Sequence, residues 1–260
     1  MTKASDTANI LKQPFVNTLG TSNYRAGVNA GDAIASGGNY NVCIGDEAGT
    51  ALTTGDNNIA IGFEALTTED ANGTNVAIGF RSLKTLNAGA DAENTAVGNN
   101  TGLSMTTAVY NTVVGSQAGD ALTDGSSNTA IGMNALTADT RGLNSIAVGR
   151  NALFAQNFTS STDSYNVAIG RDAGASITTG DKNTIVGNLA GDGLTTGNQN
   201  VAVGYQALGA GTTYDGNTAV GYNALLVANN TDGPDGNNVA IGATAGDAVT
   251  SGVRLSLIHI

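Results

Sequence analysis

Tryptophan is absent from this 260-residue chain, and proline (2 residues), cysteine (1) and histidine (1) are nearly so. A lone cysteine excludes an internal disulfide and any multi-cysteine metal site. A lone histidine, His259 at the extreme C-terminus, leaves no credible Ser/His/Asp or Cys/His arrangement for nucleophilic catalysis. Charge is sparse as well: 12% of residues are ionic, and 10 basic side chains stand against 21 acidic ones, for a net charge of −11. Without a Lys/Arg run, such a surface repels phosphate and disfavours nucleic-acid binding. Its acidity serves solubility instead. No apolar run reaches the ~18 residues of a membrane-spanning helix. Residues 1–20 lack the apolar stretch of a secretory signal. Much of the 40% hydrophobic content is alanine, so large side chains for a deep core are few.

What the chain has in abundance is glycine, 37 residues, and a good part of it is periodic. Twelve times an Asn or Ser is followed four residues later by Gly, with Ile or Val just before the Gly, from Asn41-Val-Cys-Ile-Gly45 to Asn238-Val-Ala-Ile-Gly242. A weaker copy, Asn23-Tyr-Arg-Ala-Gly27, precedes them. Successive repeat glycines are separated by 18, 17, 17, 19, 17, 17, 17, 21, 17, 17, 17 and 21 residues. Every fourth step is longer, so that four steps span 71, 72 and 72 residues (27 to 98, 98 to 170, 170 to 242). The fourth residue beyond each Gly follows the same superperiod: Gly31 and Gly49, then Leu66 and Leu83, then Gly102 and Gly119, and so on in pairs. Duplication of a four-unit block explains this order most simply. The longest loops fall at residues 154–165 and 226–237. Self-similarity on this scale means a stack of one small unit rather than a single globular core.

Within a unit such as Asn75-Val-Ala-Ile-Gly79, the first and third residues after Asn are β-branched and the second is mostly Ala, an alternation that predicts a strand. The expectation is that the aliphatic face points into the coil and that the Ala face lets another surface approach closely. Gly then permits a backbone turn. The Asn residues are suited to bonding neighbouring backbone and to stacking as an amide ladder. A 17-residue unit leaves room for a second strand near Ala65-Leu66 or Leu52-Thr53-Thr54. One helical turn over residues 63–66 is the alternative. The fold class is thus all-β, a parallel β-solenoid of about 13 repeats of ~17 residues. Thirteen coils at roughly 4.8 Å make a rod of about 60 Å. The repeat positions that define it include Asn58, Ile61 and Gly62; Asn75, Ile78 and Gly79; Asn128, Ile131 and Gly132; Asn200, Val203 and Gly204; and Asn217, Val220 and Gly221. Cys43 occupies a slot that otherwise holds Ala, as at Ala60 and Ala77, and reads as a small buried residue.

The pattern carried by Asn58-Ile-Ala-Ile-Gly62, Asn200-Val-Ala-Val-Gly204 and Asn217-Thr-Ala-Val-Gly221 resembles the head repeats of trimeric autotransporter adhesins. It looks still more like the repeats of bacteriophage tail-fibre and related virion proteins. The resemblance covers roughly residues 23–252. It implies a left-handed parallel β-roll, a homotrimer and a place on an elongated surface appendage. The adhesin repeat is shorter than 17 residues, so the return path must differ. Secreted adhesins also carry a signal peptide and a membrane anchor; with neither visible, the expectation is a virion component assembled in the host cytoplasm, the alternative being a bacterial cell surface. Residues 1–22 then read as an attachment or capping segment, 23–254 as the repeat domain, and 255–260 as a non-native, adapter-derived tail.

Chemistry finds little foothold. Gly37-Gly38 lacks the Gly-Lys-Ser/Thr ending of a phosphate loop, and no cofactor motif stands out. Asp56-Asn-Asn58 and Asp232-Gly-Pro-Asp-Gly-Asn-Asn238 offer oxygen ligands but match neither calcium loop, so solvated turns are the expectation. Asp46, Glu47, Glu64 and Asp172 sit in variable turn slots rather than as the paired carboxylates of a glycan-cleaving enzyme. No catalytic, cofactor or metal residue is therefore assigned. Phe63, Phe80, Tyr205 and Tyr222, each just after a repeat Gly, suit either sugar stacking or packing on one another across coils.

Overall fold

The computed structural model describes residues 20–228 and 236–259. Fourteen three-residue strands, one per coil, line up as a single parallel sheet in chain order, from Tyr24–Ala26 through Val42–Ile44, Ile59–Ile61 and Val76–Ile78 to Val239–Ile241 and Ser256–Ile258. Register is strict. Ile59, Ala60 and Ile61 pair with Val76, Ala77 and Ile78, and Val201, Ala202 and Val203 with Thr218, Ala219 and Val220. The chain is therefore an all-β solenoid of about 13 turns at ~17 residues each. The last strand falls on Ser256–Ile258, with Leu255 in the Asn slot and His259 in the Gly slot, so the stacking continues into the tail segment. Residues 1–19, most of the expected attachment segment, and 229–235, within one long loop and one candidate calcium loop, lie outside the described residues.

The second strand expected in each unit does not form. The return path is a run of turns containing three left-handed non-glycine or glycine positions, for example Ser127 (φ 60°), Asn134 (φ 57°) and Leu136 (φ 53°). Left-handed backbone costs roughly 1–2 kcal/mol per side-chain-bearing residue. It persists because the turns are tied to neighbouring coils: Asn134 N donates to the Ser116 carbonyl at 3.0 Å and Leu136 N to the Ala152 carbonyl at 3.0 Å. The same geometry, Glu64 at φ 53° and Leu66 at φ 51°, rules out the helical turn over residues 63–66. The only departure from one strand per coil among the described residues is a two-stranded parallel ribbon, in which Thr162–Asp163 of the long loop of residues 154–165 pairs with Gly142–Leu143 of the coil before.

The repeat glycine is required at the bend. Gly132 has φ +133°, and a Cβ there would lie 2.5 Å from the carbonyl oxygen of Gly149 in the next coil. The glycine's missing side chain thus sets how closely coils stack as much as it permits the turn.

The interior is thin and made of small residues. The central strand residue (Ala60, Ala77, Ala130, Ala202, Ala219 and Cys43 in its Ala slot) is fully buried, as is a second Ala at the corner beyond the Gly, such as Ala65 or Ala135. Each coil adds a large aliphatic. Where the fourth residue after the repeat Gly is Leu, as at Leu66, Leu136 and Leu208, that side chain fills the space. Where it is Gly, the filler comes from three residues later, as Leu52, Met105, Leu122, Ile177 and Leu194. A Cβ on Gly119 would stand 2.9 Å from Leu122 Cδ1 and 3.0 Å from Val113 Cγ1. The alternation of Gly and Leu is therefore a choice of which corner supplies the core side chain. The seventh position of the Leu units is then polar or small (Glu69, Asp139, Gln156, Gly211, Ala228), with Leu86 in a longer coil the exception.

Candidate interaction surface

The strand faces are the reverse of the sequence expectation. Ala points inward, and the β-branched residues on either side of it point outward, partly or well exposed along the stack. Ile131, Ile146, Ile169 and Ile241 are each about two-fifths exposed, at 39%, 39%, 40% and 44%. The reason is volume. The corner Leu or Ile already fills the coil, and three-residue strands bring the coil walls too close for a second layer of aliphatics. Large apolar residues normally go inside, so the pattern misled. The signal that points the other way is the prevalence of Ala between aliphatics: from Val42 to Ile241 the slot holds Ala in all but three strands, where it is Cys43, Val113 and Ile185.

The result is a flat stripe of Val, Ile and Thr without a single charged side chain from Val42 to Ile241. Of the residues singled out as the repeat signature, Ile61, Ile78, Ile131, Val203 and Val220 lie on this stripe, whereas the Asn and Gly residues serve the stack. Two exposed rows flank it. One precedes each Asn and includes Tyr40, Tyr110 and Tyr165; the other follows each Gly and includes Phe63, Phe80, Met133, Tyr205 and Tyr222. The aromatic neighbours pack across coils, as one sequence reading had it. Phe63 and Phe80 stack with centroids 5.6 Å apart, Tyr205 and Tyr222 likewise at 5.6 Å, and the Arg81 guanidinium caps Phe80 at 4.8 Å.

Beneath the stripe runs the expected amide ladder. Asn58 N donates to Asn41 Oδ1 (2.9 Å), Asn75 N to Asn58 Oδ1 (3.0 Å), and so on to Ser145 N on Asn128 Oδ1 (2.8 Å). In most coils Nδ2 also closes its own coil, as Asn128 Nδ2 does on the Gly142 carbonyl (2.9 Å) and Asn200 Nδ2 on that of Tyr214 (2.7 Å). The ladder resumes at Asn166 and continues through Asn183, Asn200 and Asn217 to Asn238. At Ser145, which lacks an amide, Gln156 bridges the gap: its Nε2 donates to Ser145 Oγ (2.8 Å) and its Oε1 accepts from Asn166 Nδ2 (2.9 Å).

Titratable groups are bound up in this scaffold. Gln156 Nε2 also donates to the buried Asp139 carboxylate (2.6 Å), which accepts from Gly142 N and Phe158 N as well. Burial raises the Asp139 and Glu69 carboxyls above their ordinary values despite these hydrogen bonds. Burial likewise pushes the Cys43 thiol up to about 11, which makes it inert. Outside, hydrogen bonds from Lys84 and then Arg81 hold Glu64 below the usual carboxylate range. Asp56 Oδ1 accepts from Asn39 N, and Asn58 lies in the ladder, so these oxygens are committed to stacking. Among the described residues no group of three or more His, Cys, Asp or Glu converges as a metal site. Comparison of the chain with protein families, curated proteins and solved structures returns no match.

Proposed function

We propose that this chain is a structural and adhesive segment of an elongated virion appendage of the tail-fibre kind, one that spaces or presents a host-receptor-binding tip. The observation that carries the reading is the unbroken parallel stack bearing an uncharged aliphatic stripe along its length. A shaft needs length and stiffness, and coils that each bond to their two neighbours supply both. An exposed apolar stripe of that length on an acidic rod calls for a partner. The partner is further copies of the same chain, assembled as a homotrimer about the stripe. A cell-surface glycan or protein is the receptor, met by the remaining surface. Nucleic acid is disfavoured by the net charge of −11. The same features suit the head of a bacterial trimeric adhesin, the alternative reading, whose head repeats the Asn-x-Ala-Ile/Val-Gly pattern also resembles.

Sedimentation equilibrium at micromolar concentration tests the association, with a trimer expected and a monomer counting against it. Tail or baseplate genes beside the coding sequence select the virion reading, whereas a downstream translocator barrel selects the adhesin. A glycan array with a parallel hydrolysis screen separates binding from cleavage; release of reducing sugar would overturn the non-catalytic assignment.

A further inference from the structure

The chain holds a single Asn-Gly pair, Asn72-Gly73, on the return path between the strands Ile59–Ile61 and Val76–Ile78. The backbone nitrogen that follows an asparagine can attack the side-chain amide, and a glycine there presents no side chain to hinder the approach. The ladder asparagines are shielded from this: from Asn41 to Asn238 each is fully or almost fully buried and is followed by β-branched Val, Ile or Thr. Asn72 is only half-buried.

Two carboxyls stand at the two ends of that reaction. The Gly73 N–H donates to Asp91 Oδ1 of the next coil at 3.0 Å, and Asn72 Nδ2 donates to Glu69 Oε1 at 3.2 Å. One carboxyl thus sits on the proton that the nucleophile must lose, the other on the nitrogen that must leave, which is the placement general acid–base catalysis needs. Glu69 is fully buried and held through its other oxygen by Ala88 N at 3.3 Å. Burial raises its carboxyl above the ordinary value, which suits the acid's role. Bonds from a loop N–H to a side chain of the next coil recur along the rod, as from Asn39 to Asp56, Asp181 to Asn198 and Asn198 to Asp215. There the residue before the N–H is Gly38, Gly180 or Gly197, and the bond does no more than tie coils together. Before Gly73 stands a side-chain amide.

We propose that Asn72-Gly73 is a self-modifying site, at which Asp91 takes the Gly73 amide proton and Glu69 protonates the departing nitrogen of Asn72. The Gly73 nitrogen bonds to Asn72 Cγ, the bond from Cγ to Nδ2 breaks, and ammonia leaves. Asp91 passes its proton back to Glu69 through solvent. Water then opens one C–N bond of the cyclic imide. Opening at Cγ leaves aspartate; opening at the backbone carbonyl leaves isoaspartate, with an extra methylene in the main chain. The Asn72 carbonyl is the one on which Asn58 Nδ2 closes its coil at 3.1 Å. Isoaspartate displaces that carbonyl, so the rod weakens with age at one defined rung.

Peptide mass spectrometry of chain aged at neutral pH tests this, with imide, aspartate and isoaspartate at residue 72 as the readout. The folded chain should convert roughly tenfold or more faster than the same chain held unfolded in urea, the low end of what paired acid and base supply. Glu69→Gln and Asp91→Asn should each fall toward the unfolded rate while the circular dichroism spectrum stays that of the parent. Asp91 is exposed, so its variant decides the matter even where Glu69→Gln loses its fold. A folded chain that converts more slowly than the unfolded one, or a folded Asp91→Asn variant that converts at the parent rate, overturns the proposal and leaves both carboxyls as ties between coils.

Discussion

Replacing Gly132 with alanine would bring a methyl group to 2.5 Å from the Gly149 carbonyl at a φ of +133°. Neither the backbone of the next coil nor the bend can yield without separating the stack. The expected loss is roughly 3 kcal/mol or more. Gly89 is the internal control: at φ +72° its Cβ would meet nothing within 4 Å, so Gly89→Ala should cost only about 1 kcal/mol. Urea denaturation followed by circular dichroism measures both, and equal costs would mean that carbonyl proximity does not set the stacking. The ladder amides work at the same scale. Asn128 satisfies the N–H of Ser145 in the next coil and the Gly142 carbonyl of its own, so its loss orphans two buried groups at once.

Between residue and molecule, the unit of design is the coil with a single large core side chain. Gly119→Leu adds a second beside Leu122 and should destabilise by about 1–3 kcal/mol through overpacking. Adding Leu122→Ala should restore part of that loss, because the pair then mimics a Leu unit. A double-mutant cycle measures the coupling, and strict additivity would refute the exchange of corners. The polar seventh positions of the Leu units carry a pH signature. Asp139 and Glu69 bind their protons more tightly in the folded chain than at the ordinary values of 3.8 and 4.5. Their contribution is therefore most favourable below those values and declines as pH rises above them. Glu64, lowered and at the surface though partly covered, works in the opposite sense, and solvent screens it. The melting temperature should fall as pH rises above about 4, and Asp139→Asn with Glu69→Gln should flatten that slope whatever it does to the plateau. A slope that survives in the double variant would assign it elsewhere.

On the scale of the whole rod, stability is a sum over neighbouring coils, and the proposed association would add a term along the entire stripe. Ile146→Lys with Ile169→Lys places two cations on the outward face of successive coils of the sheet. Neither side chain enters the coil interior, so the circular dichroism spectrum should be unchanged while sedimentation shifts from oligomer to monomer. Loss of folded signal in the isolated coil stack would place those isoleucines in the core after all. Sequence reasoning erred at this scale only in direction: it identified the two strand faces correctly as unlike, then assigned them the wrong way round. The second strand failed for a related reason. The corner residues, such as Glu64 and Leu66 or Asn134 and Leu136, take left-handed backbone, and these turns bond to adjacent coils without becoming extended.

The period, the Asn and Gly slots, the parallel stacking and its register were all legible in the chain, because each depends on residue types whose backbone preferences act locally and recur. The ladder, too, needed only an amide at a fixed place in every coil. Which face turns outward was decided by the tertiary structure, with the recurrent central Ala its one trace in the chain, since it hangs on how much volume a closed coil leaves once its corner leucine or isoleucine is seated. The bridging of Ser145 by Gln156 and the burial of Asp139 also required the coordinates, because they join residues from different coils through a space that no single repeat encloses.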